Sequence, residues 1–243
     1  MTVSQCHSAT YARPVALRGT SPAEAPTVGA AKLLPGGTEE EVPEAMDDLP
    51  AAFAGATLIF LACHGDYDWK NPLSSALRFG SPPGFALKIA DLFDNIRIDP
   101  DAIVILGTCD SGTVAQTDLN EGIGIAGGLL AAGAHTTIGA GWPVARSAAI
   151  GVCRKLISSL LDGTESPEAL RNAACWLRDA TAADLLAELS SIGHPAALQL
   201  AELPPEDLAG HMFADPVRWA AFLHWGAPWR AIRRGAVPAE KSQ

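Results

Sequence analysis

An α/β fold with a largely parallel central sheet, covered by helices on both faces, follows from three features of the sequence. Largely apolar runs recur at residues 57–63, 102–107 and 136–140, the pattern of strands buried on both faces. Stretches with a 3.6-residue apolar period alternate with and follow them, as crossover and covering helices would. Two of the runs end in Gly-bounded turns, the usual close of a buried parallel strand. No self-similarity with a period of 20–50 residues is present, which argues against a repeat architecture.

Taken in order, residues 1–30 carry scattered Pro, Ala, Ser and Thr without periodicity. They read as a poorly ordered or degenerate segment with one weak strand at 11–17. The domain proper is expected over 31–232, with 233–243 as a tail. Thr38 and Glu41 form a capping-box pattern, and Glu39, Glu40 and Glu41 suit the positive end of a helix dipole. Pro43 and Pro50 make that helix short or kinked.

Strand 57–63 leads to a polar loop at 65–71 and a short strand or hairpin arm at 73–79, bounded by Gly80-Ser-Pro-Pro-Gly84. A helix at 89–93 precedes Pro100 and strand 102–107. A polar loop at 113–120 comes before a helix at 124–132, closed by Gly133. Strand 136–140 ends at Trp142-Pro143. Residues 146–162 place apolar side chains at 149, 150, 152, 153, 156, 157, 160 and 161, and Gly163 stops the helix. Ser166-Pro167-Glu168 opens a helix to 179, with Pro at the favoured first position. Thr181 with Asp184 caps another, to 192; a Pro-rich linker at 194–216 then precedes a closing or edge strand at 217–225.

Composition narrows the function. The 243 residues are 48% hydrophobic and 18% charged, enough to fill one sizeable core. A net charge of -10 argues against a phosphate backbone or an anionic membrane as main partner. The basic stretch Arg230-Ala-Ile-Arg-Arg234 is the local exception and reads as a solvated end. Cysteines 6, 63, 109, 153 and 175 are odd in number and irregular in spacing, which suggests a reducing compartment and neither a disulfide framework nor a zinc site. There is no apolar signal-peptide core, and the glycine-interrupted run at 123–134 has the length of a core helix rather than a membrane span. The expected location is cytoplasmic.

Two strand endings share one design. The run at 102–106 closes in Leu106-Gly-Thr-Cys-Asp-Ser-Gly112, and the run at 57–63 closes in Cys63-His64-Gly65. His64 and Cys109 would thus sit at the carboxyl ends of buried strands, where open α/β sheets place their sites. A thiol becomes a good nucleophile when a nearby imidazole lowers its pKa, and the same imidazole can protonate a leaving amine. Gly65 and Gly112 would let a substrate backbone approach and leave N–H groups for an oxyanion. The alternative is a core histidine and a buried thiol that happen to follow strands, and spacing alone leaves both open.

Cys63 precedes His64 directly, so on a strand it would face the other way and serve as a core thiol. Cys153 and Cys175 fall on apolar helix stripes and read as core residues; Cys6 is uninformative. Gly122-Ile-Gly124-Ile-Ala-Gly127 matches a dinucleotide-binding pattern by letter but follows no strand, so close helix–sheet packing is the better reading and no cofactor is expected. Asp110, Asp118 and Glu121 flank the thiol, either as solvated loop charges or as a pocket wall suited to a basic side chain. His135, His194, His211 and His224 lack partner motifs, and His224 reads as a satisfied core residue.

These residues resemble a known family. Phe60-Leu-Ala-Cys-His-Gly65 resembles the ACHG motif of CHAT domains, caspase-like cysteine peptidases related to caspases, separases and metacaspases. Ile105-Leu-Gly-Thr-Cys-Asp-Ser-Gly112 is similar to that family's LSACETG block. Residues 121–134, Gly141-Trp-Pro-Val144, residues 168–179 and the segment from Pro216 to Gly226 resemble four further blocks in the family's order. The 45-residue gap from His64 to Cys109 is similar to that of caspases.

The resemblance implies a three-layer α/β/α sandwich and a cysteine endopeptidase that needs no metal or cofactor. It also implies His64 as general base and acid, Cys109 as nucleophile, and an oxyanion hole from the N–H groups of Gly65 and Cys109. Substrates would be proteins or peptides, in regulated proteolysis of a bacterial defence or cell-death type. Asp110 stands where the family often has Glu, and the helical repeats that often precede the domain are not read in these residues, so restraint by a regulatory protein in trans, a pro-segment or substrate scarcity is expected. The competing reading is a caspase-like adaptor that acts by association.

Overall fold

Alternation of side chains along a strand explains why the strand sequences are apolar at nearly every position: in this chain both faces of the sheet are covered. The computed structural model describes residues 14–18, 46–61, 63–68, 70–79, 85–107, 115–116, 122–194 and 196–230. Its first half holds β1 (Pro14–Arg18), α1 (Leu49–Phe53), β2 (Ala56–Leu61), β3 (His64–Asp66), β4 (Ala76–Phe79), β5 (Phe85–Lys88), α2 (Ile89–Asp94) and β6 (Ile103–Leu106). Then come β7 (Ala115–Gln116), β8 (Gly122–Ile123), α3 (Ile125–Ala131), β9 (Thr136–Ala140), α4 (Arg146–Leu161) and α5 (Ser166–Asp179). The chain continues through α6 (Ala182–Ser190), α7 (Ala196–Ala201), α8 (Pro205–Leu208) and α9 (Pro216–Trp219) to β10 (Phe222–Gly226).

The central sheet runs β1-β2-β6-β9-β10. Its centre, β2-β6-β9, is parallel, and the edge strands β1 and β10 are antiparallel to their neighbours. Leu58, Phe60, Ile103, Ile105, Ile138 and Ala140 project to one side, into a cluster with Val152, Cys153, Leu156, Ile157 and Leu160 of α4 and with residues of α5, α6 and α7. Ile59, Leu61, Val104 and Leu106 project to the other, against Leu49 and Phe53 of α1, Ile89 and Leu92 of α2, and Ile125 and Leu129 of α3. The result is the α/β/α sandwich expected from the sequence, with two half-cores separated by the sheet.

Several elements depart from the sequence reading. Strand 57–63 stops at Leu61, and the polar loop at 65–71 contributes two of the three residues of β3. β3 pairs with β4 and β4 with β5 in a separate three-stranded antiparallel sheet. The arm expected at 73–79 is a 3₁₀ turn at Pro72–Ser74 followed by β4. The Pro-rich linker at 194–216 contains α7 and α8, and α7 buries Ala196, Ala197 and Leu200 in the core. The closing strand at 217–225 is divided into α9 and β10.

The weak strand at 11–17 corresponds to β1, whose Val15 lies opposite Phe60 on β2, within the segment read as poorly ordered. The Thr38 helix start lies outside the described residues, and α1, with Pro50 in its first turn, is five residues long.

The helix after Thr181 begins as its sequence requires. Thr181 Oγ accepts the Asp184 N–H at 3.1 Å, and Asp184 Oδ2 accepts the Thr181 N–H at 2.9 Å. The same pair draws the Asp184 carboxyl below its usual range, chiefly through the Thr181 hydroxyl. Thr181→Ala removes one side of this capping box and is expected to cost about 1 kcal/mol in urea-midpoint measurements.

Candidate active site

β2 and β6 lie side by side with Leu61 opposite Leu106, so both strands leave the sheet at the same level of its carboxyl edge. The Gly107 N–H donates to Leu61 O at 3.0 Å and carries the pairing one residue further. His64 and Cys109 are each three residues beyond that matched pair of leucines. β9 flanks β6 on the other side, Ile138 opposite Ile105, and also ends at this edge.

Gly107 is required by this arrangement. A Cβ there would lie 2.8 Å from Phe60 Cζ and 2.9 Å from Cε2, and that ring is 1% exposed with nowhere to move. Its absence lets the neighbouring strands stay in register up to the point where the chain turns out toward the cysteine.

His64 starts β3, with Arg78 as its register partner, and the half-buried Gly65 pairs with Leu77. Arg78 donates from Nη2 and Nε to Asp66 Oδ2, at 2.7 and 3.1 Å. Both side chains are more than half exposed, so the pair adds little stability, though it ties β3 to β4 beside His64. The turn that follows is held from within. Asp68 Oδ1 accepts the N–H groups of Lys70 and Asn71, at 2.8 and 3.0 Å, and the Asp68 N–H donates to the buried Ser75 hydroxyl at 2.9 Å.

An open cleft of about 480 Å³ lies here, lined by Asp66, Tyr67, Asp68, Lys70, Ser74 and Arg78. None of these residues stood out in the sequence, where they read as polar loop and hairpin arm. The signal that could have found them is their density of charge directly after His-Gly.

Cys109, Asp110, Asp118 and Glu121 lie outside the described residues, and for His64 the described part is its backbone. The structure brings the two strand ends together.

Among the described residues the other thiols are accounted for, and Cys6 lies outside them. Cys63 lies in a bend past the end of β2, not on the strand, and packs half-buried against the cluster containing Leu49 and Phe53. Burial pushes its pKa well above the usual thiol range, which makes it a poor nucleophile. Cys153, in the core, is pushed up to about 12 by burial, while Cys175 is partly exposed.

Gly128, one residue past the Gly122–Gly127 pattern, serves packing of helix on helix rather than of helix on sheet. A Cβ on Gly128 would lie 2.9 Å from Leu92 Cδ1 of α2, whereas a Cβ on Gly127 would meet nothing within 4 Å. Of the remaining histidines, His194 Nδ1 accepts the Ala196 N–H at 3.1 Å at the start of α7, and His224 meets Ser166. Among the described residues no helix is long and apolar enough to cross a membrane.

No curated protein matches the chain. The CHAT domain family does, over residues 14–227, a span that runs from β1 through the end of β10 and takes in both strand endings. The chain belongs to the CHAT domain family, built on the caspase-like fold.

Proposed function

We propose that this CHAT domain is a cysteine endopeptidase with Cys109 as nucleophile and His64 as general base and acid. The observation that carries the reading is the matched ending of β2 and β6, which starts the two residues' loops from adjacent, level points. His64 takes the Cys109 Sγ proton, and the thiolate attacks the carbonyl carbon of a peptide bond. The N–H groups of Gly65 and Cys109 receive the resulting oxyanion. The imidazolium gives its proton to the departing amine, leaving a thioester on Sγ. Water, deprotonated by His64, then attacks the thioester and releases the new carboxyl end and the free thiol.

Asp110, Asp118 and Glu121 form the wall that favours a basic substrate side chain. The substrate is a partner protein in regulated proteolysis of a defence or cell-death type, in the cytoplasm, with a regulatory protein in trans. Net charge -10 supports a protein rather than a nucleic-acid or membrane substrate. The test is hydrolysis of a fluorogenic peptide panel by the wild type and by Cys109→Ala. Cleavage by the wild type alone is expected, with Arg or Lys before the cut preferred. Equal activity in the two proteins would sink the assignment. Absence of cleavage, with equal labelling of Cys109 and Cys63 by a peptide electrophile, would favour an adaptor.

A further inference from the structure

At the opposite edge of the sheet, the residues after β10 fold back across the amino-terminal ends of β6 and β9. Trp229 is 7% exposed, and its indole Nε1–H donates to Asp101 O at 2.6 Å, just ahead of β6. Ser166, the first residue of α5, donates its N–H to Trp229 O at 2.8 Å, and its Oγ accepts the Trp229 N–H at 2.8 Å. The Ala227 N–H donates to His135 O at 3.3 Å, and the Thr136 hydroxyl donates to Ala227 O. Arg230 ends the strap 3.5 Å from Glu165.

One contact in this strap depends on a proton. Ser166 is fully buried, and its Oγ lies 2.8 Å from His224 Nε2. The oxygen receives the Trp229 N–H, and among the described residues the hydroxyl proton has no acceptor other than His224 Nε2, which takes it as a neutral imidazole. A proton on Nε2 would turn that nitrogen into a second donor aimed at Oγ. The Ser166 O–H would then need another acceptor, and the described residues offer none within hydrogen-bond reach. We propose that Ser166, His224 and Trp229 form an acid-sensitive latch, which holds residues 227–230 across the sheet edge and opens as His224 takes up a proton.

The surroundings leave His224 as the titrating group. β9 and α3, which pack against β10, carry no ionisable residue. α5 brings two exposed pairs, Glu168 with Arg171 and Arg178 with Asp179, together with the partly exposed Cys175, and Glu165 at its start is engaged with Arg230. His135 Nε2 lies 3.3 Å from Pro228 O, a carbonyl that only accepts, so the ring is the donor in that contact. Burial lowers the His224 pKa from the ordinary 6.5, with a smaller opposing pull from its own backbone. The closed latch therefore resists the proton while the open one takes it near 6.5. Latch stability is complete above that pH, is lost as pH falls through the lowered value, and then levels off.

The test is amide hydrogen exchange at Trp229 between pH 8 and pH 5, corrected for intrinsic exchange, beside NMR titration of the His224 ring. Below pH ~6.5 protection in the wild type is expected to fall by up to about tenfold per pH unit, in step with the ring. His224→Gln keeps an acceptor for Ser166 without titrating and should flatten the profile. Ser166→Ala should leave Trp229 poorly protected at every pH. Constant wild-type protection, a ring that titrates without Trp229, or an unchanged slope in His224→Gln would each overturn the latch.

Discussion

Replacing His64 with alanine is expected to slow peptide hydrolysis by about 10²–10⁴-fold at neutral pH, the range that a positioned acid–base group contributes. Two losses combine. Without the imidazole the Cys109 thiol reverts toward the ordinary value near 8.5, so only a few per cent is thiolate at pH 7. The leaving amine also departs without a proton donor. Raising the pH to ~9 restores the first and not the second, so part of the rate returns and the acid limb of the kcat/KM profile moves up toward 8.5.

A compensating thiol is not available from the neighbouring position. Cys63 is half-buried against the core, with its pKa pushed well up, so the Cys109→Ala protein sets the floor of activity. Activity of His64→Ala equal to the wild type, with an unmoved acid limb, would remove His64 from the mechanism and return it to a structural part of β3.

The strands that support the site were legible because burial on both faces leaves nothing but apolar residues at 103–106 and in most of 56–61. β9 and α5 came out with the expected limits, since Gly133, Trp142-Pro143 and Pro167 punctuate them with known geometry. Prolines also misled. Pro205 and Pro216 each sit in the first turn of a short helix, where a missing N–H costs nothing, rather than in a linker. β3 was invisible for a different reason: His-Gly-Asp has no apolar alternation and becomes a strand by pairing with β4. The same holds for Gly107, whose need for a bare Cα arises from a Phe60 ring on the neighbouring strand.

The parallel register that levels the strand ends depends on a second glycine, and Gly133→Ala is expected to be strongly destabilising. Gly133 follows α3 with φ +120°, outside the region that residues with a Cβ adopt. Its N–H donates to Leu130 O at 3.0 Å, and the Ala134 N–H returns to Leu129 O at 3.1 Å, closing the helix. A Cβ at this position would lie 2.4 Å from Ile98 O, a backbone atom of a buried residue whose own N–H is bonded to Ala132 O.

Positive-φ strain of about 1–3 kcal/mol and forced overpacking of about 1–3 kcal/mol together give a loss of roughly 2–6 kcal/mol, read from the urea midpoint. Against a typical domain stability of about 5–15 kcal/mol that is a large fraction. The shift would reach the site, because the His135 N–H, two residues on, donates to Ala102 O and sets β9 beside β6. Gly127→Ala on the same helix meets nothing within 4 Å and is expected to stabilise by up to about 1 kcal/mol. Opposite signs for two Gly→Ala changes six residues apart would separate backbone geometry from any general effect of the added methyl. A loss below ~1 kcal/mol at Gly133 would contradict the close approach to Ile98.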